Sequence, residues 1–265
     1  MASMPTDHRD WYDTPLYYDI IFDGDTPREA AFLEEVWACY GPRSRTRKLL
    51  EPACGSGRLV LEMARRGWKV SGFDGNERML QFARERLSKE GLQALLWSDW
   101  MQSFHLPKTE PYDLAHCLVS TFKYLLTEAD AVAFLQRIAA CLKPGGVFAL
   151  GLHLSDYSKG KEEHERWVAQ RDDIHVVCNT HTWAPNRKTR LEDLRTRLKI
   201  THAGRSHLQE TRWQFRTYDA RQVKALLGQV PELHLAACYD FTYNIHEPRE
   251  LDDSYADIVL ILVRE

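Results

Sequence analysis

The sequence predicts an α/β protein: a doubly wound, mostly parallel seven-stranded sheet with an inserted antiparallel β meander. Three observations carry this. Between residues 27 and 152, short apolar runs alternate with helical patterns, the order that builds parallel strands joined by right-handed crossovers. After residue 160 the pattern changes to segments that alternate polar and apolar side chains, with turn-like stretches between them. Two last apolar runs, Leu233 to Tyr239 and Asp257 to Val263, return the chain to the sheet, the final strand running antiparallel.

Residues 1–10 read as a frayed terminus, and Trp11 to Phe22 as an aromatic segment that must pack on a core or a ligand. Thr26-Pro27-Arg28-Glu29 has the form of a helix start, with Thr26 as N-cap and Glu29 closing a capping box. Gly41-Pro42 ends that helix. Lys48 to Leu50 opens a strand, Leu59 to Arg66 is a short helix, and Lys69 to Phe73 is a strand ending at Asp74. Asn76 caps the next helix, and Leu92 to Trp97 is a strand ending at Asp99. Tyr112 to Val119 is a fourth strand; Thr127 caps a helix through Leu142; Lys143-Pro-Gly-Gly146 turns into the strand Val147 to Leu152. Lys161 to Gln170 reads as a charged helix, followed by strands at 175–183, 194–201 and 208–215 and a helix at 219–227. The division expected is an aromatic lid at 1–26, an α/β domain at 27–159 and 217–265, and an inserted substrate lid at 160–216.

Bulk properties exclude several classes. The chain has 265 residues, 44% apolar, with a formal net charge of -3. That is enough to bury a core, and it offers no global field for nucleic acid. Six cysteines are scattered without a C-x-x-C pair, which speaks against a disulfide framework or a zinc site, so no metal is expected. The N-terminal residues lack the apolar run of a signal peptide, and no segment reaches the length of a membrane span. The expectation is a cytoplasmic chain, with oligomerisation left open.

The chemistry concentrates in Glu51-Pro-Ala-Cys-Gly-Ser-Gly57, between a strand and a helix. Gly55 and Gly57 let a ligand approach the backbone, and the helix N-terminus offers free N–H groups. A dinucleotide loop would place Gly or Ala three residues past Gly57, where this chain has Val60. Glu51 suits a ligand with positive charge better than a pyrophosphate. Asp74 can accept hydrogen bonds from ribose hydroxyls, and Asp99 can meet an adenine amino group, with Trp100 and Met101 as an apolar face.

Glu51-x-Ala-Cys-Gly-Ser-Gly57, Gly72-Phe-Asp74, Asp99-Trp100 and Leu142-Lys-Pro-Gly-Gly146 together resemble successive motifs of the class I S-adenosylmethionine (SAM)-dependent methyltransferases, and the layout is similar to the small-molecule N- or O-methyltransferases. The resemblance implies a Rossmann-like methyltransferase fold that binds S-adenosyl-L-methionine and releases S-adenosyl-L-homocysteine (SAH). It implies that Glu51 faces the methionine ammonium and that Ala53, Gly55 and Gly57 line methionine and ribose. Asp74 and Gly75 would hold the ribose, Asp99 and Trp100 the adenine, with Cys117 and Leu118 against the cofactor. No Asn/Asp-Pro-Pro-Tyr/Phe run follows the fourth strand, where Leu118-Val-Ser-Thr-Phe122 stands, which disfavours amide or adenine acceptors. The expected acceptor is a small molecule, with nitrogen favoured over oxygen. A protein or RNA methyltransferase and a non-catalytic SAM-binding protein are the alternatives. No catalytic residue is assigned; Tyr18, Tyr124 and His153 are candidates, each with an equally simple structural reading. Tyr17 and the His-, Arg- and Trp-rich insert are further candidates for acceptor contact.

Overall fold

The structure, a computed structural model, describes residues 6–43, 46–105, 111–158 and 162–265. In chain order the elements are β1 (Thr6–His8), a 3-10 turn (Trp11–Asp13), α1 (Pro15–Phe22), a second 3-10 turn (Asp23–Asp25), α2 (Thr26–Tyr40), β2 (Lys48–Pro52), α3 (Arg58–Arg65), β3 (Lys69–Asp74), α4 (Glu77–Lys89) and β4 (Leu95–Ser98). Then come β5 (Tyr112–Cys117), a 3-10 turn (Thr121–Tyr124), α5 (Glu128–Cys141), β6 (Leu142–His153), β7 (Glu163–Arg171), β8 (Ile174–Thr182), β9 (Leu191–His202), β10 (Arg205–Arg216), α6 (Ala220–Leu227), β11 (Leu233–Tyr239) and β12 (Asp257–Arg264).

The larger sheet has the order β11-β12-β6-β5-β2-β3-β4. Strands β2 to β6 pair in parallel, and β12 runs antiparallel to both its neighbours. Helices cover both faces, so the central strands are buried on both sides. One core gathers Phe134 and Ile138 of α5 with Val223 and Leu226 of α6; the other gathers Val36 of α2, Val60 and Met63 of α3 and Leu80 of α4. Of the caps read from the sequence, those at Asn76 and Thr127 make their bonds, and Asp219 adds another. Asn76 accepts from Arg78 N and Met79 N, Thr127 accepts from Asp130 N, and Asp219 forms a full capping box with Gln222.

A second sheet, of order β1-β10-β9-β8-β7, stands over the carboxyl end of the first. It packs on the N-terminal segment: Trp11 and Ile20 share a core with Val176, Cys178, Leu198 and Ile200. Four sequence expectations need correction here. Residues 6–8 are paired, Thr6 with Leu208 in parallel register, because β10 offers them an open edge. Lys161 and the expected boundary at 159/160 lie outside the described residues, but Glu163–Arg171 is a strand, paired along its length with β8. Its Glu, Arg, Ala and Gln favour a helix locally, and cross-strand pairing overrides that preference. Thr26 makes no cap; it and Glu29 turn instead to Arg58. Lys143-Pro-Gly-Gly146 belongs to β6 rather than preceding it.

Candidate functional site

The loop after β2 lies against β3 at the carboxyl edge of the sheet. Its chain direction reverses through residues with positive φ, Ala53, Gly55 and Gly57. The Gly55 N–H donates to Asp74 Oδ2 at 2.8 Å, and Asn76 N donates to Oδ1 at 2.8 Å. Asp74 thereby ties the loop to the start of α4. A Cβ at Gly57 would stand 2.6 Å from Ala83 Cβ, so this glycine serves the contact of the loop with α4.

Glu51 ends β2 below this loop. Its carboxyl is buried and pushed up to about 8, by desolvation first, against the pull of the Arg58 guanidinium. Glu51 Oε2 has no hydrogen-bond partner among the described residues. His116 Nε2 lies 3.8 Å away, but burial pushes that imidazole down to about 3, so the pair is not ionic. A buried carboxylate oxygen without a donor is the feature an ammonium group would complete. Arg58 does not supply it directly, since it is joined to Glu29 and donates to Thr26 Oγ1 at 3.1 Å.

From Glu51 a cavity of about 640 Å³ extends under the second sheet. Ala53, Gly55, Cys117 and Leu118 lie on its wall; so do Tyr18, Tyr124 and His153. The structure therefore brings these expected residues together. It keeps the others apart: Gly57, Asp74, Gly75, Asp99 and Trp100 are not on that wall. Trp100 covers Gly75, whose Cβ would meet the indole at 2.8 Å. Asp99 is engaged, accepting from Trp100 N on Oδ1 and from His105 N and Nδ1 on Oδ2. Burial pushes its carboxyl up, but these donors hold it net below the usual range. Asp99 thus fixes this turn, through backbone N–H groups and the His105 ring.

The aromatic candidates resolve into a hydrogen-bonded cluster. Tyr12 Oη donates to Tyr124 Oη at 2.7 Å, and the Tyr18 ring lies against Gly55. Burial pushes the Tyr18 phenol up to about 12 and those of Tyr12 and Tyr124 well above their usual value. These groups stay protonated at neutral pH and act as donors rather than bases. Tyr17 packs beside His207, outside the cavity. His153, at the end of β6, meets Asp257 at the start of β12 through Nδ1. That leaves Nε2 as the nitrogen able to accept a proton.

Sequence reasoning missed Asp257 and Glu29, whose partners are distant in the chain. It also missed a cross-strand group: Glu162, His164 and His181 present ligand atoms within 4.8 Å of one another. A helix at 161–170 would have separated them. No metal was expected from the sequence, and these three residues could hold one.

Architecture and motif loop define a class I methyltransferase fold. Residues 49–146 match the family described as a methyltransferase domain. The chain is similar to dTDP-3-amino-3,6-dideoxy-alpha-D-glucopyranose N,N-dimethyltransferase from Streptomyces fradiae, 31% identical over 133 residues, which are 49% of this chain and 49% of that protein. Among solved structures it is similar to an S-adenosylmethionine-dependent methyltransferase from Clostridium acetobutylicum, with a TM-score of 0.76 and 16% identity over 96% of this chain and 98% of that one. It is also similar to a sugar N-methyltransferase from Streptoalloteichus, with a TM-score of 0.71 and 17% identity over 100% and 97%. The chain spans about half the length of the curated relatives it matches. No helix among the described residues is long and apolar enough to cross a membrane.

Proposed function

We propose that this chain transfers the methyl group of S-adenosylmethionine to an amine nitrogen of a small-molecule acceptor. The observation that carries the reading is the single cavity that joins the Glu51–Gly55 loop to the His153–Asp257 pair under a roof of aromatic side chains. Such an enclosed space suits a small acceptor better than a protein or RNA strand. An amino-sugar N,N-dimethyltransferase and a sugar N-methyltransferase among the similar proteins support a nitrogen acceptor, while ubiquinone biosynthesis O-methyltransferases are among the relatives too.

When bound, S-adenosylmethionine supplies an electrophilic methyl carbon on a sulfonium. The chain's part is binding and orientation. Glu51 Oε2 would take the methionine ammonium, the Gly55 turn would let the ligand pass close to the backbone, and Asp74 would meet the ribose. Tyr12, Tyr18 and Tyr124 would exclude water and orient the acceptor. An acceptor amine arriving as ammonium must lose a proton before its lone pair can attack. His153 Nε2 would accept that proton, while Asp257 fixes the ring through Nδ1.

The test is calorimetric titration with SAM and with SAH, followed by assay of labelled-methyl transfer to a pool of small amines. Binding of both and transfer to an amine are expected. Absence of binding to either overturns the reading.

A further inference from the structure

Charge on the cavity wall deepens that reading and rests on it. Among the described residues the wall carries nine carboxylates against three basic side chains, Arg28, Arg58 and Lys123. Each base is already matched. Arg58 is joined to Glu29, Lys123 donates to Glu192 at 2.7 Å with both side chains buried, and Arg28 donates to Asp25 at 2.9 Å. Of the other carboxylates, Asp257 meets His153 and Glu162 meets His181, and none of the three bases is left over for Glu163 or Glu165. Glu163 and Glu165 have neither a hydrogen-bond nor an ion-pair partner among the described residues, and both are open to the cavity.

Their placement follows from the strand. In β7 alternate side chains share a face, so Glu163, Glu165 and Trp167 form one row on the cavity side. The two carboxylates stand about 7 Å apart along the strand at the usual rise. Trp167 keeps 37% of its surface open beside them, an uncovered indole face next to two unpaired negative charges. That is the composition that receives an ammonium group, by ion pairing and by cation–π attraction. A diphosphate held at this row would meet like charge, since the wall's three basic side chains are paired elsewhere. Glu165 also lies within electrostatic reach of His153 and Asp257, so a group bound at the row is part of the same acceptor space.

We propose that the acceptor is a small molecule with at least two amino groups and no phosphate. One amine is presented to His153 and the second is held as ammonium by Glu163 and Glu165 against Trp167. The row is thus a specificity site, and it separates this chain's acceptor from nucleotide-linked amino sugars.

The test uses the full chain saturated with SAH. It is titrated calorimetrically with straight-chain diamines from propane-1,3-diamine to octane-1,8-diamine, with butylamine, and with a thymidine-diphosphate-linked amino sugar. The best diamine is expected to bind at least tenfold more tightly than butylamine, and the nucleotide sugar to give no heat of binding. The double variant Glu163→Gln, Glu165→Gln should lose at least tenfold in diamine affinity while its SAH affinity stays unchanged, which also shows that it folds. Nucleotide-sugar binding as tight as the best diamine, no preference over butylamine, or a double variant with unchanged diamine affinity would each overturn the proposal and leave the methyltransferase reading standing. Failure of the wild-type chain to bind SAH would overturn both.

Discussion

Arg171 of β7 donates to the fully buried carboxylate of Asp19 in α1 at 2.8 Å. The same carboxylate accepts from Ser56 Oγ in the glycine loop at 2.7 Å and is joined to Arg86 of α4. One side chain thus holds the N-terminal helix, the loop, the larger domain's α4 and the second sheet together. Removing one partner of a buried ion pair strands the others' charge. Asp19→Ala should cost about 3–5 kcal/mol in denaturant unfolding, with Asp19→Asn losing less because it still accepts from Ser56. A loss below about 1 kcal/mol would mean that the cluster does not hold the roof down.

Asp74→Ala should weaken SAH binding by about a hundredfold or more, the scale of losing two hydrogen bonds to a charged acceptor. Calorimetry reads it directly. An unchanged affinity would remove Asp74 from the ribose site.

In the proposed site Glu51 would link cofactor binding to protons. Without ligand its carboxyl is raised from 4.5 to about 8, so between these values the folded chain binds more protons than the unfolded chain. Its contribution to stability is therefore lost as pH rises through that window. An arriving ammonium favours the ionised form, so SAH binding at pH 7 should release close to one proton, seen as a dependence of binding heat on buffer ionisation enthalpy. Affinity should rise with pH towards about 8 and then level off. Glu51→Gln should abolish both effects; proton release that persists in this variant would assign the linkage elsewhere.

His153→Ala should lower kcat by about a hundred- to a thousandfold with any ammonium acceptor that supports turnover, leaving the KM for SAM within a few-fold. Asp257→Asn should lower kcat less, because the ring stays in place without its carboxylate partner. A His153→Ala enzyme with wild-type kcat and pH profile would show that the acceptor reaches the site already neutral.

Gly57 has φ of 69° and no room for a Cβ before Ala83. Gly57→Ala should destabilise the fold by more than about 1 kcal/mol, and adding Ala83→Gly should return part of that loss. An absence of coupling in this double-mutant cycle would place the strain in φ alone.

Local signals made the larger sheet legible. Asn76 and Thr127 announce their helices through bonds made within three residues, and the run from Glu51 to Gly57 carries its meaning in its own spacing. What escaped depends on partners far along the chain. Glu29 looked like a capping residue until Arg58 claimed it, and β7 looked helical until β8 lay beside it. The cofactor residues split for the same reason. Glu51 and Gly55 face the cavity together, while Asp99 meets His105, which no strand-end rule foresees. His153 was visible as a lone histidine, and only the register between β6 and β12 supplied Asp257.

The pairing of Thr6–His8 with Leu208–Glu210 carries a consequence for synthesis. As the chain leaves the ribosome this strand must wait for a partner made about 200 residues later, when the larger sheet's parallel strands are already complete. The chain can assemble its nucleotide-binding half early, while the aromatic segment stays unshielded until β10 emerges. Until β10 is made, the segment from Trp11 to Phe22 lacks its place in the roof, so the proposed acceptor chamber closes only after the parallel strands below it have formed.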